Sequence, residues 1–184
     1  MAQTRPLTAE DLIGLPDDYE LYEGMSREVA AAPDHSAIAL NIAALVWNYV
    51  DEHQSGSAFG ADASFRLYRN PDTLFLPDAA FVREERIPSD EDLDYPFEGA
   101  PDLAVEVRSL GDSAAELDQK MRTYIEAGTL LGWAIDPVLR TVAVYQPRQP
   151  IVVLRDGDTL DGGDVLPGLR IELRRVFRTR SRSR

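Results

Sequence analysis

Cysteine is absent from the 184 residues. That excludes a disulfide framework, a thiolate metal site and a cysteine nucleophile. Histidine occurs twice and lysine once, at Lys120, so 18 of the 19 basic residues are arginine. No stretch approaches the roughly 18 uninterrupted apolar residues that would cross a bilayer, and no apolar segment follows the early Arg5 as a secretory signal would require. These absences predict a cytoplasmic protein without a membrane partner. Basic charge is also scarce: 32 acidic residues outweigh the 19 basic ones and leave a net charge of −13. Four of those arginines (Arg178, Arg180, Arg182 and Arg184) sit in the terminal RTRSRSR, so the body before them is more acidic still. Such a surface does not grip nucleic acid by general electrostatics. The tail reads as a disordered, solvated end over 178–184, with a phosphate-seeking arm as the alternative.

The 44% hydrophobic content fits one globular domain, placed here at 1–177. Thr8 ahead of AEDLIGL predicts a short capped helix. YELYEG and SREVAAA predict a hairpin about Gly24. From Asp34, read as a cap, the run DHSAIALNIAALVWNYVDEH has Ile38, Ile42, Val46 and Val50 at helical spacing. LFLPDAAFV reads as an apolar strand broken by Asp78. Residues 83–101 are charged, proline-rich and aperiodic, which predicts a surface loop. DLAVEVRS is a strand, and it is followed by a helix from about Asp112 to Ala127 with a Ser113/Glu116 capping box. LLGWAID, TVAVYQ, IVVLRDGDTL and LPGLRIEL predict further strands. The pattern is that of an α/β (α+β) domain: a central mixed β-sheet flanked by helices, with extra C-terminal strands.

Two carboxylates interrupt apolar strands, Asp78 in LFLPDAAFV and Glu106 in DLAVEVRS. Alternation puts Leu103, Val105 and Val107 on one face and Asp102, Ala104, Glu106 and Arg108 on the other. A carboxylate inside a sheet covered on both sides costs several kcal/mol unless it is paired or bound to a cation. Glu106 therefore has three explanations: an ion pair with Arg108, an edge position facing water, or a metal. Lys120 falls at the flank of the buried stripe Leu117, Met121, Tyr124. An i, i+4 pair with Glu116 would explain a basic residue there, and a coding bias toward arginine would explain a single lysine. The sharper reading is that position 120 needs an ammonium rather than a guanidinium. Together Asp78, Glu106 and Lys120 suit a hard divalent ion that meets a phosphate.

The ordered series YELYEG, His35 before a helix, LPDAAFV, GAPDLAVEVRS, DQKMRTYIEAG, WAIDP and TVAVY resembles the Uma-two family of restriction endonucleases. That family lies within the PD-(D/E)XK restriction-endonuclease-like superfamily, and the resemblance extends to about Phe177. It implies a restriction-endonuclease-like sheet in which Asp78 and Glu106 bind Mg²⁺ or Mn²⁺, the Val107 carbonyl adds a ligand, and Lys120 assists the attacking water. Glu20 matches the family's N-terminal acid, read as a further ligand or as the holder of a metal-bound water. His35 matches a recurring histidine, and it and Arg108 are read as substrate-binding residues. Arg108 stands where the superfamily keeps its lysine, Met25 replaces an acid, and Ser109-Leu110-Gly111 replaces Ser-Pro-Ser.

The implied activity is metal-dependent hydrolysis of nucleic-acid phosphodiester bonds, with DNA as substrate and a homodimer as the form that cuts both strands. The competing reading is a catalytically inactive nuclease-fold module that binds or assembles with a protein partner. A third is hydrolysis of a smaller phosphodiester.

Overall fold

The computed structural model describes residues 5–12, 19–28, 33–87, 96–109 and 111–178. The expected disordered tail falls, from residue 179 on, outside the described residues. The architecture is mixed α/β, with sheets of five, six and two strands flanked by helices.

The chain opens with α1 (Ala9–Leu12) and the hairpin β1 (Tyr19–Tyr22) and β2 (Met25–Glu28). Thr8 does not cap α1 through its own oxygen. Instead its N–H and hydroxyl both donate to Asp11 Oδ2, at 2.8 and 3.1 Å. The hairpin turns through Glu23 and Gly24, both with positive φ (49° and 75°), the two-residue turn that matches strand twist. At Gly24 a Cβ would lie 2.4 Å from Pro6 Cβ, so glycine is required sterically as well.

The helix α2 (Pro33–His53) starts one residue ahead of Asp34. Proline suits the first helical turn because its missing N–H would have had no partner there. Asp34 is therefore inside the first turn, where its charge favours the helix N-terminus, and does not stand before it. Ile38, Ile42, Val46 and Val50 form the buried stripe.

LFLPDAAFV is not one strand but a crossing between sheets. β5 (Thr73–Phe75) belongs to the five-stranded sheet, ordered β2-β1-β5-β4-β7, with β4 at Phe65–Tyr68 and β7 at Phe97–Glu98. β6 (Ala79–Arg83) belongs to the six-stranded one. Pro77 has no N–H for a ladder and marks the break, so Asp78 stands at the entrance to β6. The expected loop at 83–101 contains a 3-10 turn (Glu84–Arg86) and β7, which pairs in parallel with β4; residues 88–95 lie outside the described residues.

The six-stranded sheet runs β11-β10-β9-β8-β6-β3. Its strands are β3 (Gly56–Gly60), β6, β8 (Leu103–Val107), β9 (Leu131–Asp136), β10 (Thr141–Tyr145) and β11 (Val152–Leu154). β8 and β9 are parallel and are joined by α3 (Ala114–Glu126), whose Ser113 N-cap and Glu116 form the expected capping box. Leu103, Val105 and Val107 pack with the α2 stripe on one face, while Ala104 packs with Met121 and Tyr124 of α3 on the other. At Gly132 a Cβ would lie 2.5 Å from Met121 Cε, which is how closely α3 rests on β9. β12 (Thr159–Asp161), β13 (Arg170–Glu172) and a terminal α4 (Leu173–Val176) close the fold, and Asn41 of α2 donates to the Val176 carbonyl at 2.9 Å. No described helix is long and apolar enough to cross a membrane.

Candidate active site

The antiparallel pairing of β6 with β8 matches Ala79 to Val105 and Ala80 to Ala104. Continued by one residue, that register sets Asp78 opposite Glu106. Asp78 is fixed there because its Oδ2 accepts the Val107 N–H at 2.7 Å. Glu20 arrives from β1, and its Oε1 accepts the Leu76 N–H at 2.8 Å, at the point where the chain passes between the sheets. Lys120 extends from α3 between the two glutamates. Its Nζ is 2.6 Å from Glu20 Oε1 and 2.8 Å from Glu106 Oε1. One helical turn on, the Tyr124 hydroxyl donates to the same Glu106 oxygen at 2.9 Å. The ammonium also lies 5.2 Å above the Phe75 ring, a favourable cation–π placement. Four segments far apart in the chain thus meet in one cleft, lined also by His35, Ser109 and Asp112.

Glu106 is only 6% exposed. Burial pushes its carboxyl up to about 8; Lys120 opposes the shift, while Glu20 and Asp78 reinforce it. For Lys120 burial alone would lower the pKa, but the two glutamates outweigh it and hold the ammonium above the ordinary lysine range. The proton stays on nitrogen, so in this arrangement Lys120 is a fixed positive charge and not a base. Burial also raises the Tyr124 hydroxyl well above its usual value. His35 Nε2 is 3.3 Å from Asp78 Oδ2. That hydrogen bond raises the imidazole, burial opposes it, and the charge of Asp78 and a backbone bond to Val107 add to the rise.

Glu106 is neither at a sheet edge nor paired with Arg108. β8 is an interior strand, which removes the edge position. Arg108 does not pair with Glu106, because it follows the last residue of β8, where alternation ends. It binds Asp136 at 3.0 and 3.2 Å and the Asp112 carbonyl at 3.3 Å, and is not itself among the residues that line the cleft. Nor does Lys120 pair with Glu116, whose carboxylate folds back onto Ser113.

Among the described residues no three histidine, aspartate or glutamate groups form a ready metal cage. The donor set nevertheless fits a hard divalent ion. Tyr124 and Lys120 both use Glu106 Oε1, and His35 and Val107 both use Asp78 Oδ2. One oxygen on each carboxylate is left without a donor among the described residues, and Mg²⁺ asks for only one or two carboxylates.

Sequence reasoning placed Tyr124 in the apolar stripe without a polar role, although its position four residues after Lys120 puts both on one helix face. Arg27, which also lines the cleft, and its partner Asp112 were missed. Arg27 could have been found from the hairpin, since it is the direct cross-strand partner of Glu20.

No curated protein matches the chain. The crystal structure of a "putative nuclease belonging to DUF820" from Anabaena variabilis ATCC 29413 superposes with a TM-score of 0.80 at 24% identity, covering 94% of this chain and 98% of that one; the likeness is one of fold. The family model described as "Putative restriction endonuclease", Uma2, matches residues 9–174, and the chain belongs to that family.

Proposed function

We propose that the chain is a divalent-metal-dependent endonuclease that hydrolyses phosphodiester bonds of DNA. The observation that carries this reading is the convergence of Asp78, Glu106, Lys120 and Glu20 in one cleft, with an uncommitted oxygen on each of the two facing carboxylates. Asp78 and Glu106 would hold Mg²⁺ or Mn²⁺, with the Val107 carbonyl as a further donor. Bound there, the ion supplies Lewis-acid activation of a water and of the phosphate. Lys120 sets a permanent positive charge where negative charge builds on the phosphate. Glu20 holds that ammonium in place, and Tyr124 fixes the Glu106 carboxylate. The same reading takes the protein as cytoplasmic, and a two-fold homodimer would present two clefts to the two strands of a duplex.

The test is calorimetric titration of Mg²⁺ and Mn²⁺ into wild type and Asp78→Ala, with nicking of supercoiled plasmid followed on the same samples. The expected result is binding and nicking in wild type and neither in the variant. Wild type that takes up no divalent ion at millimolar concentration would sink the proposal.

A further inference from the structure

The cleft faces an electrostatic difficulty if its substrate is polyanionic. Its lining includes Glu20, Asp78, Glu106, Asp112 and Glu116, and its lysine is committed to two of these carboxylates. A phosphodiester backbone entering this cleft needs a cation at the mouth.

Arg27 is the sole arginine among the described lining residues, and its side chain is 54% exposed. The hairpin register matches Glu20 directly to Arg27, so both side chains rise from the same face of the ribbon. Glu20 is buried against Lys120, and Arg27 reaches the opening. One guanidinium nitrogen, Nη2, is bonded to Asp112 Oδ1. Asp112 is itself held by the Ser109 hydroxyl at 2.7 Å. Nε and Nη1 of Arg27 have no acceptor among the described residues, and the second hydrogen of Nη2 together with one of them completes a two-donor edge that fits a phosphate or carboxylate.

We propose that Arg27 is the substrate-anchoring residue of the cleft, binding a backbone phosphate of the nucleic acid at the mouth while Asp112 keeps the guanidinium aimed when no substrate is present. This rests on the nuclease reading and adds to it a residue that binds substrate without taking part in bond cleavage. The position gives an acidic body one cationic contact for a nucleic-acid phosphate, carried on a two-stranded ribbon beside the carboxylates of the cleft.

The experiment measures binding of a fluorescein-labelled DNA duplex by anisotropy, with Ca²⁺ in place of Mg²⁺, together with steady-state plasmid nicking in Mg²⁺. It compares wild type, Arg27→Gln, Arg27→Lys and Arg122→Ala. Arg122 is exposed on α3 and paired with Asp118, so its removal takes away the same charge outside the cleft. Arg27→Gln should weaken binding and raise KM by about tenfold with kcat changed far less, and should lower the salt slope of binding by about 1. Arg27→Lys should recover part of the affinity, and Arg122→Ala should bind like wild type. If wild type binds and nicks but Arg27→Gln does the same with unchanged KM, or if Arg122→Ala weakens binding equally, the anchoring role is overturned and the nuclease reading stands. Wild type that neither binds nor nicks overturns both.

Discussion

Lys120 reaches back 100 residues along the chain to Glu20, with Nζ 2.6 Å from Oε1, and the same nitrogen serves Glu106 from the other side. A largely covered cation from α3 is therefore shared by two buried acids, one from each of the two larger sheets. Breaking a buried pair by deleting one partner is far more costly than replacing both.

Lys120→Met should lower unfolding stability by about 3–5 kcal/mol, measured by urea denaturation at neutral pH. The pH dependence has a definite sign. Glu106 is already raised by burial, and losing Lys120 removes the pull that opposes the shift. The native variant then holds a proton that the unfolded chain has lost, so its stability should fall as pH rises from about 4.5 toward 8. A variant as stable as wild type across that range would show that the shared cation contributes nothing to the fold.

Tyr124→Phe removes one hydroxyl and leaves the ring packed. It should cost about 1 kcal/mol of stability and about tenfold in Mg²⁺ affinity, since Glu106 loses the donor that orients it. Calorimetry and denaturation on the same preparation separate the two effects. Loss of stability with unchanged affinity would make Tyr124 a packing residue only.

The strand alternation, the capping box and the hairpin turn were legible in the sequence because they are local. The alternation of DLAVEVRS, Ser113 with Glu116, and Gly24 between two short strands each need only neighbours a few residues away. Asp78 was legible as a neighbour of Glu106 on the next strand, but the sheet crossing before it was not, because Pro77 was not read as the point where the chain changes sheets. The partners of Lys120 and Arg108 were illegible for a related reason. A helix can be read for i, i+4 neighbours, but nothing in a linear pattern says that Glu20 will stand beside position 120 or Asp136 beside Arg108. Arg108 escaped in particular because the strand rule was extended one residue past the end of β8.

Asp136 gives an acid-side prediction. Burial would raise its carboxyl, but hydrogen bonds from the Leu139 and Val138 N–H groups and from Arg108 outweigh it, and the net shift is downward. A depressed carboxyl contributes stability that is complete above its unfolded value, near 4, and is lost as pH falls through the folded one. Asp136→Asn should therefore be less stable than wild type at pH 7, and the gap should close on acidification toward pH 3. Denaturation midpoints across that range check it; a gap independent of pH would count against the ionised carboxylate as the source.

Gly132→Ala should destabilise by about 1–3 kcal/mol. The new methyl meets Met121 Cε at 2.5 Å and Tyr145 Cβ at 3.3 Å; the methionine can yield, but the tyrosine Cβ, close to its own backbone, cannot. A fall in the thermal midpoint is the readout, and an unchanged midpoint would mean that α3 lifts off β9 freely.

The hairpin that carries Glu20 and Arg27 has one ladder pair with the rest of its sheet, Leu21 with Leu74, supplemented by bonds from the Gly24 N–H to the Asp72 carbonyl, from the Glu23 N–H to Thr73 Oγ1 and from the Leu76 N–H to Glu20. A two-stranded ribbon has little stability of its own, so its attachment is a separate step from the cohesion of the six-stranded sheet. In hydrogen exchange its amides should open at lower free energy than those of β8. When it lifts, both ends of the cleft change together: the inner acid leaves Lys120, and the outer arginine leaves Asp112. If the ribbon opens before the six-stranded sheet does, the cleft comes apart while the rest of the protein stays folded.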